Sequence, residues 1–241
     1  WEEELPPPRD VLLEKSKGVD GVLTLLTDRI DAEFMDNAGP QLKVISQIAV
    51  GFDNISVDDA TKRGIPVGHT PEVLNETTAD MTFALMMTAA RRVNEGERFV
   101  HEGKWKTWHP LHFLGQDLHH STIGIIGMGR IGYEVGKRAK GFDMDIIYSD
   151  TVVNERAEKD LGARKVELGT LYAESDFVSA HVNLTPETTH MLNDDAFSQM
   201  KSTAIVINAA RGPVIDPKAL YRALKDNKIS MAALDVTEPE P

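Results

Sequence analysis

Gly127, Gly129 and Gly132 stand in the order GxGxxG inside TIGIIGMGRIG, directly after an apolar run and at the mouth of a helical pattern. That spacing suits a diphosphate. Gly127 permits a tight turn, Gly129 lets the backbone between Met128 and Arg130 approach an anion, and Gly132, after Ile131, lets helix and strand pack closely. The anion then rests on the N–H groups of the helix N-terminus. Asp150 lies 18 positions after Gly132 (150 minus 132), at the end of DIIYSD, where a carboxylate can accept a bond from a ribose 2′-hydroxyl. This set fits NAD. It fits NADP less well, since a carboxylate repels a 2′-phosphate and no Arg or Lys follows until Arg156. The plain alternative leaves the glycines as turn and packing residues and Asp150 as a solvated strand end.

A second cluster, VINAARGPVID, carries Arg211 on a turn after a buried strand, where open α/β sheets bind ligands. A guanidinium there pairs with a carboxylate and polarises an adjacent carbonyl, although on the residues alone a surface arginine explains it equally. His109, His112, His119 and His120 are close in sequence, but Pro110 breaks helical register and no carboxylate pattern completes a zinc set, so no metal is expected.

These groups need a frame. From Asp20, GVLTLLT reads as a strand, DAEFMDNAG as a helix closed by Gly39, KVISQIAVG as a buried strand, SVDDATKRG as a helix with Ser56 as cap and Asp59 three residues on, and IPVGH as a short strand. Residues 75 to 103 contain no Pro and read as one long helix, a spine between lobes. KWKTWHPLHFLGQDLHH is aromatic and irregular, which marks a functional or interface segment. Strands are expected at 122 to 126, 144 to 149, 176 to 182, 203 to 209 and, as a buried strand, 229 to 236, with helices between them; Asp216-Pro217 is a cap followed by Pro at the first helical position. Apolar strands alternating with helices predict parallel sheets covered on both faces.

Composition narrows the function classes. The 241 residues are 41% apolar and 27% charged, with a net charge of −12 that argues against nucleic acid and for small soluble ligands. No run reaches the roughly 18 apolar residues of a membrane span, no targeting peptide is visible, and the absence of cysteine fits a reducing compartment such as the cytoplasm. The chain begins at Trp1 and stops in AALDVTEPEP, so it is expected to be cut at both ends.

VISQIAVGFDNISVDDATKRGIPVGHTPEVLNETTAD, STIGIIGMGRIG, HVNLTPETTHML, INAARGPVID and AALDVTEPEP together resemble the D-isomer-specific 2-hydroxyacid dehydrogenases. Within that family KRGIPVGHTPEVLNETTAD, GKWKTWHPL and ALDVTEPEP most resemble the glyoxylate and hydroxypyruvate reductases. The resemblance implies a Rossmann-type doubly wound coenzyme domain (75 to 241, lacking its C-terminal end) and an incomplete flavodoxin-like substrate domain (1 to 74). It implies that Arg211 holds the 2-oxo acid and that Glu240 pairs with and keeps protonated a catalytic histidine placed beyond the EPEP segment, a role that none of the eight histidines here takes. Backbone N–H groups at Val50 and Gly51 would receive the substrate carboxylate. Thr78, Val182, Asn183, Ala209, Ala210 and Asp235 would line the cofactor, Asn183 standing where the family commonly has Pro. Trp108 resembles an aromatic lent to the neighbouring subunit of a homodimer; without the family it reads as core or interface.

The implied reaction is hydride transfer from NADH to a small 2-oxo acid. D-3-phosphoglycerate dehydrogenase stays open as a rival needing further basic groups for its phosphate, and formate dehydrogenase is disfavoured by Glu240, where such relatives carry glutamine. A dehydrogenase-like corepressor that binds NADH without turnover is the reading from another class.

Overall fold

The computed structural model describes residues 5–239. They form two compact units that divide after Leu74.

In the first unit, β1 (Gly21–Thr24), β2 (Val44–Gln47) and β3 (Val67–Gly68) form a parallel sheet in the order β1-β2-β3, with Gly21 opposite Val44 and Ile45 opposite Val67. Three helices accompany it: α1 (Arg9–Ser16), α2 (Ala32–Ala38) and α3 (Val57–Lys62). Helix α2 starts where the Asp31 carboxylate accepts the Phe34 N–H at 3.1 Å and stops at Gly39, whose φ of 103° excludes most side chains. Phe34, Met35 and Ala38 from α2 then bury against Ile45 of the sheet and Ala60 of α3. Ser56 occupies the cap position of α3, but its hydroxyl donates to the Asp59 carboxylate at 2.6 Å instead of accepting a backbone N–H. Helix α1 answers to no expectation from the sequence; its apolar residues Leu12 and Leu13 pack on the same core.

The second unit opens with α4 (Asn75–Ala90) and α5 (Val93–His101), which corrects the expectation of one continuous helix. The Ala90 carbonyl accepts the N–H of Gln116 at 2.8 Å, so a returning loop takes the acceptor that a further turn would use. Arg92 adopts a left-handed conformation (φ 53°) and restarts the chain as α5.

Six strands follow: β4 (Thr122–Ile126), β5 (Asp145–Ser149), β6 (Arg164–Lys165), β7 (Phe177–Ala180), β8 (Ile205–Asn208) and β9 (Met231–Leu234). They pair in parallel in the order β6-β5-β4-β7-β8-β9. Between them run α6 (Arg130–Gly141), α7 (Glu155–Leu161), α8 (Leu168–Glu174), α9 (Asp194–Gln199) and α10 (Pro217–Lys225). The strand order is that of a doubly wound nucleotide-binding sheet, reversing direction between β4 and β7.

The period of two along each strand divides its side chains between two cores. Ile123, Ile125, Ile205 and Ile207 join Phe83 and Met86 of α4 and Val135 of α6, whereas Ile126, Val178 and Val206 join Leu171 of α8, Phe197 of α9 and Ala219 of α10. Both faces are thus covered, as near-continuous apolar strands require. Strand β9 departs from the expected buried strand. It pairs with β8 alone, and each of its four residues stays half-buried. At α10 the Asp216 carboxylate accepts the N–H groups of Lys218 and Ala219, and Pro217 takes the first helical position.

Candidate active site

The glycine turn leaves the carboxyl end of β4 as its spacing predicts. Gly127 has φ 91°, and a Cβ there would lie 2.7 Å from the His181 carbonyl and 3.0 Å from the Val182 side chain. A Cβ on Gly132 would lie 2.2 Å from the Gly127 carbonyl, so helix and turn touch through bare backbone.

Gly129 differs from both. A Cβ there would meet nothing within 4 Å, its N–H meets no acceptor among the described residues, and it caps α6 without a side-chain bond. Helix α6 also carries no acidic residue in its first turn, so no carboxylate of its own offsets the positive end of its dipole. Open space over the unengaged Gly129 N–H at a helix start fits the diphosphate of a dinucleotide. Met128 is buried beneath the turn, Ile131 packs on the α4–α6 core, and Arg130 is exposed.

Asp150, immediately after β5, accepts the Met128 N–H through Oδ2 at 2.8 Å; Oδ1 accepts the Thr151 hydroxyl and the Val152 N–H. The carboxylate is therefore half-buried against the turn and braces it. Asn154, which the sequence did not single out, completes the brace: its side chain donates to the Met128 carbonyl at 2.7 Å and caps α7 through Ala157. Arg156 stacks over the Tyr133 ring at 4.2 Å. Thr78 sits in the first turn of α4, half-buried, on the helix that packs along α6.

Arg211 stands three residues beyond β8. Asn208, 1% exposed, holds its turn by donating to the Arg211 carbonyl at 2.8 Å and accepting the Ala210 N–H at 3.0 Å. Ala209 and Ala210 are half-buried within that turn. A buried polar residue closing the apolar run AIVIN is the signal that could have identified Asn208.

A Cβ on the next residue, Gly212, would lie 1.9 Å from the Thr237 carbonyl, so the segment after β9 crosses the arginine turn at backbone contact. Asp235 on that segment is exposed and donates its N–H to the Asn208 carbonyl. Glu240 lies outside the described residues. Glu238 instead meets a histidine: its Oε2 is 2.6 Å from His190 Nε2, and the His190 backbone donates to the Pro213 carbonyl. No sequence signal joined these two, 48 positions apart.

Asn183 is exposed, its carbonyl accepting the Thr188 hydroxyl at 2.6 Å, and Val182 packs half-buried on the α8–α10 core. His181 bonds Ser179 Oγ at 2.8 Å, and burial of its imidazole pushes its pKa down to about 4, so the ring is neutral near pH 7. Trp108 is 77% exposed and does not belong to a core. Among the described residues no cluster of His, Asp and Glu could hold a metal ion, and no helix is long and apolar enough to cross a membrane.

In the first unit, Val50, Gly51 and Phe52 lie in the loop beyond the carboxyl end of β2. None of their three N–H groups meets an acceptor among the described residues, and Val50 and Gly51 are half-buried. Consecutive unengaged N–H groups are donors that a carboxylate could accept from.

Residues 83–241 match the family model for the NAD binding domain of D-isomer specific 2-hydroxyacid dehydrogenases. The chain belongs to this family. The D-isomer specific 2-hydroxyacid dehydrogenases similar to it include a glyoxylate reductase of Korarchaeum cryptofilum, 54% identical over 242 residues that cover all of this chain and 73% of the relative. Among solved structures, a Thermus thermophilus protein superposes with a TM-score of 0.91 at 45% identity, over 98% of this chain and 74% of that one. D-Lactate dehydrogenase from Aquifex aeolicus, complexed with NAD and lactic acid, superposes with a TM-score of 0.87 at 35% identity, over 98% and 68%. An NAD-binding domain of this family therefore accounts for the glycine turn and the sheet that carries it.

Proposed function

We propose that the protein reduces a small 2-oxo acid of the glyoxylate or hydroxypyruvate type to the D-2-hydroxy acid, with residues 75–241 binding NAD and residues 1–74 serving as the substrate lobe. The observation that carries this reading is the uncapped, open start of α6 at Gly129, on the same sheet edge as the Arg211 turn. Relatives about half identical along the whole chain that are named glyoxylate reductase support the choice of acid.

When bound, the nicotinamide supplies the hydride for the carbonyl carbon of the acid. The chain's own residues do the rest. The turn from Gly127 to Gly132 seats the diphosphate on backbone N–H groups, and Asp150 takes the ribose hydroxyls while disfavouring a 2′-phosphate, so NAD is preferred to NADP. Val182, Asn183, Ala209, Ala210, Thr78 and Asp235 line the cofactor. Val50 and Gly51 donate N–H groups to the substrate carboxylate. Arg211 steadies the oxygen that gains charge as the hydride arrives. Glu240 orients the histidine that delivers the proton, which the family resemblance places further along the sequence.

The exposed segment with Trp105, Trp108, Leu111 and Leu114 is the face we assign to a second copy of the chain. Light scattering of the full-length protein should then report a dimer that Trp108→Ser weakens. The absence of cysteine suits a cytoplasmic setting. The reading as a whole is tested by following NADH oxidation by the full-length protein with a panel of 2-oxo acids. Turnover of glyoxylate or hydroxypyruvate is expected, and no turnover of any acid would refute it.

A further inference from the structure

The N–H groups of Val50 and Gly51 can receive an anion only if their peptide planes hold still, and the loop that bears them lies outside the β2–β3 ladder. Two side chains grip it by its carbonyls. Gln47, 2% exposed at the end of β2, donates through Nε2 to the Gly51 carbonyl at 3.2 Å and to Asn54 Oδ1 at 2.8 Å, while its Oε1 accepts the Thr24 hydroxyl. From just beyond β3, His69 Nδ1 lies 2.8 Å from the Val50 carbonyl.

A carbonyl only accepts, so Nδ1 is the ring nitrogen that carries the hydrogen. The imidazole is held edge-on to Phe52, with ring centroids 5.3 Å apart and planes at 79°. The bonded Val50 carbonyl and the Gly51 N–H are the two ends of one peptide unit. A donor at the carbonyl fixes the plane of that unit and polarises the N–H at its far end, as hydrogen bonds in series strengthen one another.

We propose that His69 is a positioning residue for substrate: its Nδ1–H bond to the Val50 carbonyl aims and strengthens the Gly51 N–H that receives the carboxylate of the 2-oxo acid. The proposal rests on the reading of Val50 and Gly51 as the substrate loop. It also gives His69 a part that no motif assigns, acting through the Val50 peptide unit.

In the full-length protein, His69→Ala should raise KM for glyoxylate about three- to tenfold, the worth of one hydrogen bond, and leave kcat and the NADH dissociation constant unchanged. An Asn side chain can place its amide nitrogen where Nδ1 stands and a Gln cannot, so His69→Asn should recover wild-type KM to within about twofold and His69→Gln should not. An unchanged KM in His69→Ala, or equal KM values in the Asn and Gln variants, overturns the proposal. The Asn and Gln pair decides alone if His69→Ala does not fold.

Absence of turnover in the wild type would instead count against the substrate reading, and a binding measurement then decides on His69. Oxamate, a 2-oxo acid isostere that hydride does not reduce, should shift the Gly51 amide resonance in the wild type, and the shift should need about three- to tenfold more oxamate for half-saturation in His69→Ala. No shift in the wild type, or the same half-saturation in both, overturns the proposal.

Discussion

The Gly127–Gly132 turn and the Val50–Phe52 loop both follow a parallel strand and both leave backbone N–H groups unengaged among the described residues, yet they are held by opposite means. The turn is fixed by what is missing. Its glycines let the Gly127 carbonyl, the start of α6 and the His181 carbonyl approach at distances that any Cβ would forbid, and one carboxylate, Asp150, ties it down. The loop is fixed by what is added, since Gln47 and His69 hold two successive carbonyls. Steric exclusion tolerates almost no substitution, whereas a pair of polar grips can be loosened one at a time.

The sharpest separation is expected between two neighbouring glycines. Gly132→Ala drives a Cβ against a backbone carbonyl that cannot rotate away and should cost about 2–4 kcal/mol of stability, read by urea unfolding. Gly129→Ala meets no neighbour, so its melting temperature should match wild type while NADH binding by titration weakens about tenfold. Equal destabilisation by both would break the comparison.

The neutral His181 under the turn comes next. Its folded pKa of about 4 lies below its ordinary 6.5, so the unfolded chain takes up the proton first. Stability from this group is complete above about pH 6.5 and is lost as pH falls toward 4, on the order of 1–3 kcal/mol. His181→Gln should flatten that part of the pH profile of urea unfolding.

On the loop side, Gln47→Leu leaves Asn54 Oδ1 and the Gly51 carbonyl without their donor and should cost about 1–2 kcal/mol, with a raised KM for 2-oxo acid and unchanged NADH affinity. The smallest effect concerns the tie of the turn. Asp150→Asn keeps an acceptor for the Met128 N–H but removes the charge, so the preference for NAD over NADP should fall about tenfold with little change in melting temperature. Asp150→Ala should lower both.

The same contrast governs what could be read from the sequence. The turn was legible because Gly127 and Gly132 each answer to a steric demand while Gly129 keeps open space between them, and spacing alone exposes the set. Long apolar strands such as TIGII and AIVIN were legible for a similar reason, since burial on both faces leaves few other residue types. The loop donors were placed only by family resemblance, because a backbone N–H has no side chain to announce it.

Where tertiary contacts decide, local pattern failed. The break between α4 and α5 follows from Gln116 claiming the Ala90 carbonyl, 26 residues away, with neither Pro nor Gly at the junction. Strand β6 is two charged residues, Arg164 and Lys165, paired only to β5, with no apolar signal to find. The His190–Glu238 pair joins two loops through a histidine in left-handed conformation, a geometry that no spacing encodes.

The contact between Gly212 and the Thr237 carbonyl has a consequence for how this region can vary. The path of the segment past Arg211 is set at Thr237 by main chain lying on main chain, and the Glu238 carboxylate adds a side-chain hold on His190. In a saturation library screened for folded protein, position 212 should admit only glycine, whereas Thr237, which meets Gly212 through its carbonyl, accepts many residues. The route of the chain beside the arginine is thus inherited through Gly212, and the side chain at 237 is left open to drift.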